Sequence, residues 1–240
     1  MKSICKVLVC ASTKNELSKI NGLDFNNINV GEIHHFNNYI DILITGVGYF
    51  SVVYYLTKTL FLHEYCVVFA VGICGDYNQN NDIPQIYVVK KANFADTGFE
   101  NENKCFQPLV GSKFLDKNMF PFKNGSLINN NADLFADYFG LKIVTANSVN
   151  RTNTDVNYLT ELLNVFPADI ETMESAAFHY VCIQQNVNFV EIRASSNHTI
   201  PKCNEKWRIN EAVLLINNFV EKHIFTESLS DFKNILNLIK

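Results

Sequence analysis

Short, unbroken apolar runs alternate along this chain with stretches whose apolar residues recur every three or four positions. The runs ICKVLVC (4–10), IDILITG (40–46), YCVVFAVG (65–72), QIYVVKKANF (85–94), LKIVTA (141–146) and NFVEIRAS (188–195) are rich in Val and Ile. Continuous apolar character of this kind predicts strands covered on both faces. Segments 49–62, 155–164, 174–185 and 205–222 carry helical spacing. The alternation predicts an α/β sandwich around a largely parallel or mixed sheet. Asparagine clusters such as YNQNND and INNNAD read as surface turns. The stretch 204–240 reads as one long helix and a second, shorter one, with Trp207, Ile209, Val213, Ile216 and Val220 available for one face.

At 240 residues the chain is expected to form a single domain over 1–240. Apolar residues make up 48% of it, enough for a sizeable core. The net charge of −4, with 20 scattered basic residues, argues against nucleic acid or an anionic membrane as the main partner. Seven cysteines occur without a CxxC pair, several inside apolar runs, and read as reduced, buried thiols. No segment has the length and apolarity of a signal-peptide core or a membrane span, so a cytoplasmic location is expected.

Chemistry concentrates in a few stretches. LITGVGY (43–49) and FAVGICGDY (69–77) read as glycine turns ending strands, where backbone amides can approach a ligand. Neither has the full dinucleotide fingerprint nor the GK[ST] of a P-loop, and packing turns would explain each alone. In NFVEIRASSNH (188–198), Arg193 lies within a strand whose exit is marked by Ser195, Ser196, Asn197 and His198. A buried arginine needs a carboxylate, and Glu174 and Glu171 are the candidates. IETMESAAF (170–178) sets acids beside Met173 just before small residues; an ordinary helix first turn is the plain alternative. His179 reads as packing, His198 could orient Asn197, and no spacing suggests a metal site or a cofactor.

In combination, the GVG turn, the GxxG stretch, ETMESAAFHYVCIQ (171–184) and IRASSNHTIPKCNEKW (192–207) resemble the nucleoside phosphorylase and nucleosidase superfamily that includes 5′-methylthioadenosine/S-adenosylhomocysteine nucleosidase. Within it, the last two stretches and FADTGFE (94–100) look most like futalosine hydrolases. The resemblance implies a single-domain three-layer α/β/α sandwich with a mixed central sheet. It also implies a purine nucleoside substrate, no cofactor, and a homo-oligomer, with a homodimer favoured.

Residue by residue, the resemblance makes Glu174 the acceptor for the ribose hydroxyls and lays Met173 against the sugar. Gly75 and Val149 would line the base site, with Phe94 a stacking candidate and Arg193 the buried cation. Glu16, in CASTKNEL (10–17), aligns with the base that activates water if one extra loop residue is allowed; a helix N-terminal acid is the equal alternative. Adenine-releasing relatives carry aspartate where this chain has Asn197. An amide can donate to N7 and O6 of a 6-oxopurine, whereas an ionised carboxylate would repel both, so Asn197 favours hypoxanthine as the leaving base. Phosphorylases of the superfamily bind phosphate through arginines early in the chain, but no arginine precedes Arg151, which favours water as nucleophile. For the benzoate of futalosine, Arg151, Lys202, Lys206 and Arg208 are the available cations.

Overall fold

The computed structural model describes residues 6–24, 27–103, 105–200 and 206–225. The predicted strands form: β1 Val7–Ala11, β3 Ile40–Ile44, β4 Val67–Asp76, β5 Ile86–Phe94, β9 Lys142–Ser148 and β11 Phe189–His198. Short strands β2 Ile33–His35, β8 Leu127–Ile128 and β10 Ile170–Thr172 complete a nine-stranded sheet, and β6 Gly98–Glu100 pairs separately with β7 Phe106–Pro108. Among the described residues the α-helices are α1 Tyr49–Leu62, α2 Ala132–Phe139, α3 Val156–Val165, α4 Ser175–Gln184 and α5 Ile209–His223.

The sheet runs β10-β9-β5-β11-β4-β1-β3-β2 and is mixed: β1 lies parallel to β3 and β4, whereas β5 runs antiparallel to β11. Alternation along a strand sends successive side chains to opposite faces. Val7, Val9 and Ala11 of β1 join one core with Phe135 of α2 and Ile216 and Phe219 of α5. Leu8 and Cys10 join another with Leu56 of α1 and Phe178 and Val181 of α4. The result is the expected three-layer α/β/α sandwich, and it explains why the central strands read as unbroken apolar runs.

Two boundaries differ from the sequence reading in a way that shapes the molecule. Gly72 and Gly75 do not form a turn; β4 continues through both to Asp76. Likewise Ser195, Ser196, Asn197 and His198 are not an exit from β11 but its buried continuation, past a bulge between Ser195 and Asn197. Each extension has a partner. Gly75 pairs with Asn197 on one side and with Glu171 of β10 on the other. Because β10 bonds to both β9 and β4, strands β4, β11, β5, β9 and β10 close into a ring.

Helix α2, which the sequence reading passed over, carries Ala132, Phe135 and Ala136 inward and ends at Gly140 in the left-handed conformation. The shorter helix expected after α5 lies outside the described residues. Among described cysteines, Cys10, Cys74 and Cys182 are buried free thiols and Cys105 is an exposed one. The expectation of reduced thiols fails at Cys66, which is disulfide-bonded. No helix among the described residues is long and apolar enough to cross a membrane.

Candidate active site

A cavity of about 200 Å3 opens where the extended ends of β4 and β11 meet β10 and the loop after β1. Its walls include Glu16, Gly75, Met173, Glu174 and Asn197, five of the sequence-predicted site residues. These positions run from the loop after β1 to β11 and meet only because their strands are neighbours in one sheet.

Glu16 lies in a four-residue 3-10 turn, Lys14–Leu17, directly after β1. Its Oε2 accepts from the Thr13 amide (2.9 Å) and hydroxyl (3.2 Å), and its Oε1 accepts from the Ile73 amide (3.1 Å). The side chain is thus held across the gap between two strands. Burial pushes the Glu16 carboxyl up; Arg193 and the two amides pull it down, and Glu174 adds to the rise. A carboxyl poised above its ordinary range suits proton transfer near neutral pH.

Glu174 sits at the N-cap of α4. Its Oε1 accepts from the Gly48 amide (3.0 Å) and its Oε2 lies 3.6 Å from Arg193 Nη1. Gly48 has a positive φ of 85° and caps α1, so the GVG stretch is a turn that aims an amide at the acid. Asn197 Nδ2 donates to the His198 carbonyl (3.1 Å), and its Oδ1 accepts from the Ser196 hydroxyl (2.9 Å). These bonds fix which end of the amide is nitrogen and leave one of its two N–H groups for a ligand.

Arg193 is buried behind this wall. Its nearest carboxylate is Glu191, with Nε to Oε1 at 2.7 Å, a partner that the sequence reading did not name. Of the two partners it did name, Glu174 is in range and Glu171 is not among the bonds of Arg193: Glu171 instead accepts from Tyr77 Oη (3.2 Å). Burial raises the Glu171 carboxyl to about 7, against the lowering bond from Tyr77. It lines the cavity too, as do Thr152 and Trp207.

Two predicted contacts lie elsewhere. Val149 is wholly buried against Ala95 and Leu162, because the end of β9 turns its side chain into the fold while its amide bonds the Thr172 carbonyl. Phe94 packs edge-on against Tyr49, with ring centroids 5.1 Å apart, in an aromatic group with Phe122 and Tyr180. Of the four suggested cations, Lys202 lies outside the described residues. Arg151 and Lys206 are exposed, and Arg208 is engaged by Glu211 and the Ile83 carbonyl.

The native futalosine hydrolase of Helicobacter pylori superposes with a TM-score of 0.72 at 16% identity, covering 91% of this chain and 96% of that one. The 5′-methylthioadenosine/S-adenosylhomocysteine nucleosidase of the same organism gives 0.71 at 16% identity, covering 91% and 97%. The Neisseria meningitidis nucleosidase, solved with methylthio-immucillin-A, gives 0.69 at 13%, covering 90% and 96%. Such low identities speak for a shared fold. No curated protein sequence matches the chain significantly. The sequence profile of the phosphorylase superfamily, however, matches residues 6–224, nearly all of the described chain. With that match and this fold, the chain belongs to the phosphorylase superfamily.

Proposed function

We propose that the protein is a purine nucleosidase of the futalosine hydrolase type, in which water cleaves the N-ribosyl bond of a 5′-modified inosine and releases hypoxanthine. The observation that carries the reading is the meeting of Asn197 with Glu16 and Glu174 in one cavity. Glu16 takes a proton from water as the oxygen attacks C1′. The C1′–N9 bond breaks with its electron pair passing to the purine, the free N–H of Asn197 stabilises the charge arriving at N7 and O6, and the purine anion takes a proton from solvent while Glu16 returns its own. Glu174 accepts from the ribose hydroxyls, held by Gly48 and Arg193, while Met173 covers the sugar. Water is favoured over phosphate because no arginine or lysine is among the cavity-lining residues described, and the acids there, Glu16, Glu171 and Glu174, disfavour a dianion. The physiological setting we propose is the cytoplasm and the route to menaquinone.

One observation favours a second reading, a 5′-methylthioadenosine/S-adenosylhomocysteine nucleosidase. Among the described residues the lining that includes Val47 and Trp207 offers apolar surface and no lysine or arginine, which suits an uncharged 5′ substituent better than a benzoate. We further propose a homodimer, supported by the apolar outer face of α1, where Phe50, Tyr54 and Phe61 are 86%, 63% and 82% exposed.

The test is a product assay on futalosine, inosine and 5′-methylthioadenosine, each with and without phosphate, with the released base identified by chromatography. Hypoxanthine from futalosine independent of phosphate supports the first reading. Adenine from 5′-methylthioadenosine supports the second, and phosphate-dependent release refutes both.

A further inference from the structure

We infer that Glu191 and His179, which no part of the proposed reaction uses, are positioning residues that divide the guanidinium of Arg193 between the interior and the acids of the cavity. Glu191, His179 and Arg193 are 0%, 0% and 2% exposed. Glu191 stands two residues before Arg193 on β11, so both side chains lie on one face of the strand. Glu191 Oε1 accepts from Arg193 Nε (2.7 Å) and from the Ser175 hydroxyl (2.5 Å), and its Oε2 lies 2.9 Å from His179 Nε2.

Ser175 and His179 are one turn apart on α4, the helix that Glu174 caps. Glu191 therefore grips both the arginine and the helix that presents the ribose-binding acid. With Nε engaged, the far end of the guanidinium reaches forward. Nη1 lies 3.4 Å from the Ile73 carbonyl and 3.6 Å from Glu174 Oε2. A Cβ on Gly72 would fall 2.5 Å from Nη1 and 2.5 Å from Glu16 Oε1, so these two atoms converge over that glycine.

One cation thus serves three carboxylates. Burial opposes the charge on Glu191, yet Arg193 and His179 hold it well below the usual carboxylate range. The acids acting on Arg193 from the packed elements are Glu191 of β11, Glu174 at α4 and Glu16 after β1. The neighbouring thiols, Cys74 of β4 and Cys182 of α4, are pushed up by burial and stay neutral. From α5, the neutral amide of Asn217 donates to the backbone carbonyl of Glu16 and to that of Val213. The charge on Glu191 consequently sets how strongly Arg193 lowers Glu16.

The inference rests on Glu16 as the water-activating base only for its effect on rate. Its direct test needs no substrate: the Glu16 carboxyl is titrated by carbon-13 NMR in wild type, Glu191→Gln and Glu191→Asp. Removing the competing charge leaves more of Arg193 to Glu16, which should then titrate lower by about one pH unit. Glu191→Asp keeps the charge and should leave Glu16 near its wild-type value. Base release should follow, with the acid limb of kcat/KM moving down in Glu191→Gln alone. An unmoved Glu16 in Glu191→Gln, with rates lowered by the same factor at every pH, would overturn the inference. Should that variant not fold, His179→Phe decides. It strips Glu191 Oε2 of its partner, draws Arg193 inward and should raise Glu16, so an unmoved Glu16 there is equally fatal. Failure of wild type to release any base would sink the nucleosidase reading and leave this titration standing.

Discussion

Asn197 and Glu171 flank Gly75 across three neighbouring strands, so an amide and a carboxyl face the same end of the cavity. If the amide selects a 6-oxopurine, Asn197→Asp should raise the ratio of adenine to hypoxanthine release by ~10-fold or more, because a carboxyl can accept from an exocyclic amine and an amide nitrogen cannot. Competition between adenosine-type and inosine-type substrates measures it. Glu171 has a separate signature in stability. Its carboxyl rises from 4.5 to about 7 on folding, so the native state holds the proton more tightly than the unfolded chain. Stability contributed by this group is full below pH 4.5 and is lost as pH climbs to about 7, a difference of about 3 kcal/mol. Urea unfolding between those limits should show this decline in wild type and lose it in Glu171→Gln.

Strand β4 carries the site because two of its residues lack side chains. Gly72 has an ordinary backbone conformation, so its constraint is space: a methyl group there would overlap both Arg193 Nη1 and Glu16 Oε1 and force them away. Gly72→Ala should cost roughly 1–3 kcal/mol and abolish most base release, with urea melts and single-turnover assays as the readouts. Local pattern reads both glycines as a turn, since Gly in an apolar run is usually a breaker. Pairing with β11 and β10 overrode that local signal. Helix α1 shows the opposite case. Tyr49, Val52, Leu56 and Thr59 mark its inner face at helical spacing. The equally apolar outer residues blur the pattern but leave the period visible.

At the level of the whole molecule, those outer residues give the assembly a test. Sedimentation should show a dimer for wild type, and Phe50→Lys with Phe61→Lys should shift it to monomer, since each lysine would face apolar surface in the contact. A monomeric wild type would leave the exposed face of α1 without this explanation. The three-layer sandwich itself was foreseeable from the order of apolar runs and helical segments, because central strands covered on both faces have no polar positions to break the run.

The long strands, most of the helices, their order and the residue types available for chemistry follow from local pattern: periodicity separates strand from helix, and Glu16, Met173, Glu174 and Asn197 stand in recognisable stretches. Tertiary structure alone decided which of them meet. The closure of β10 onto β4 sets Glu171 opposite Gly75, β11 extends to carry Asn197 inward, and Arg193 turns to Glu191 two residues away. Val149 and Phe94 are drawn into packing by the same logic. Burial of a charge depends on every element packed around it, and pairing register depends on strands far apart in sequence. Neither quantity is written in a local stretch of residues.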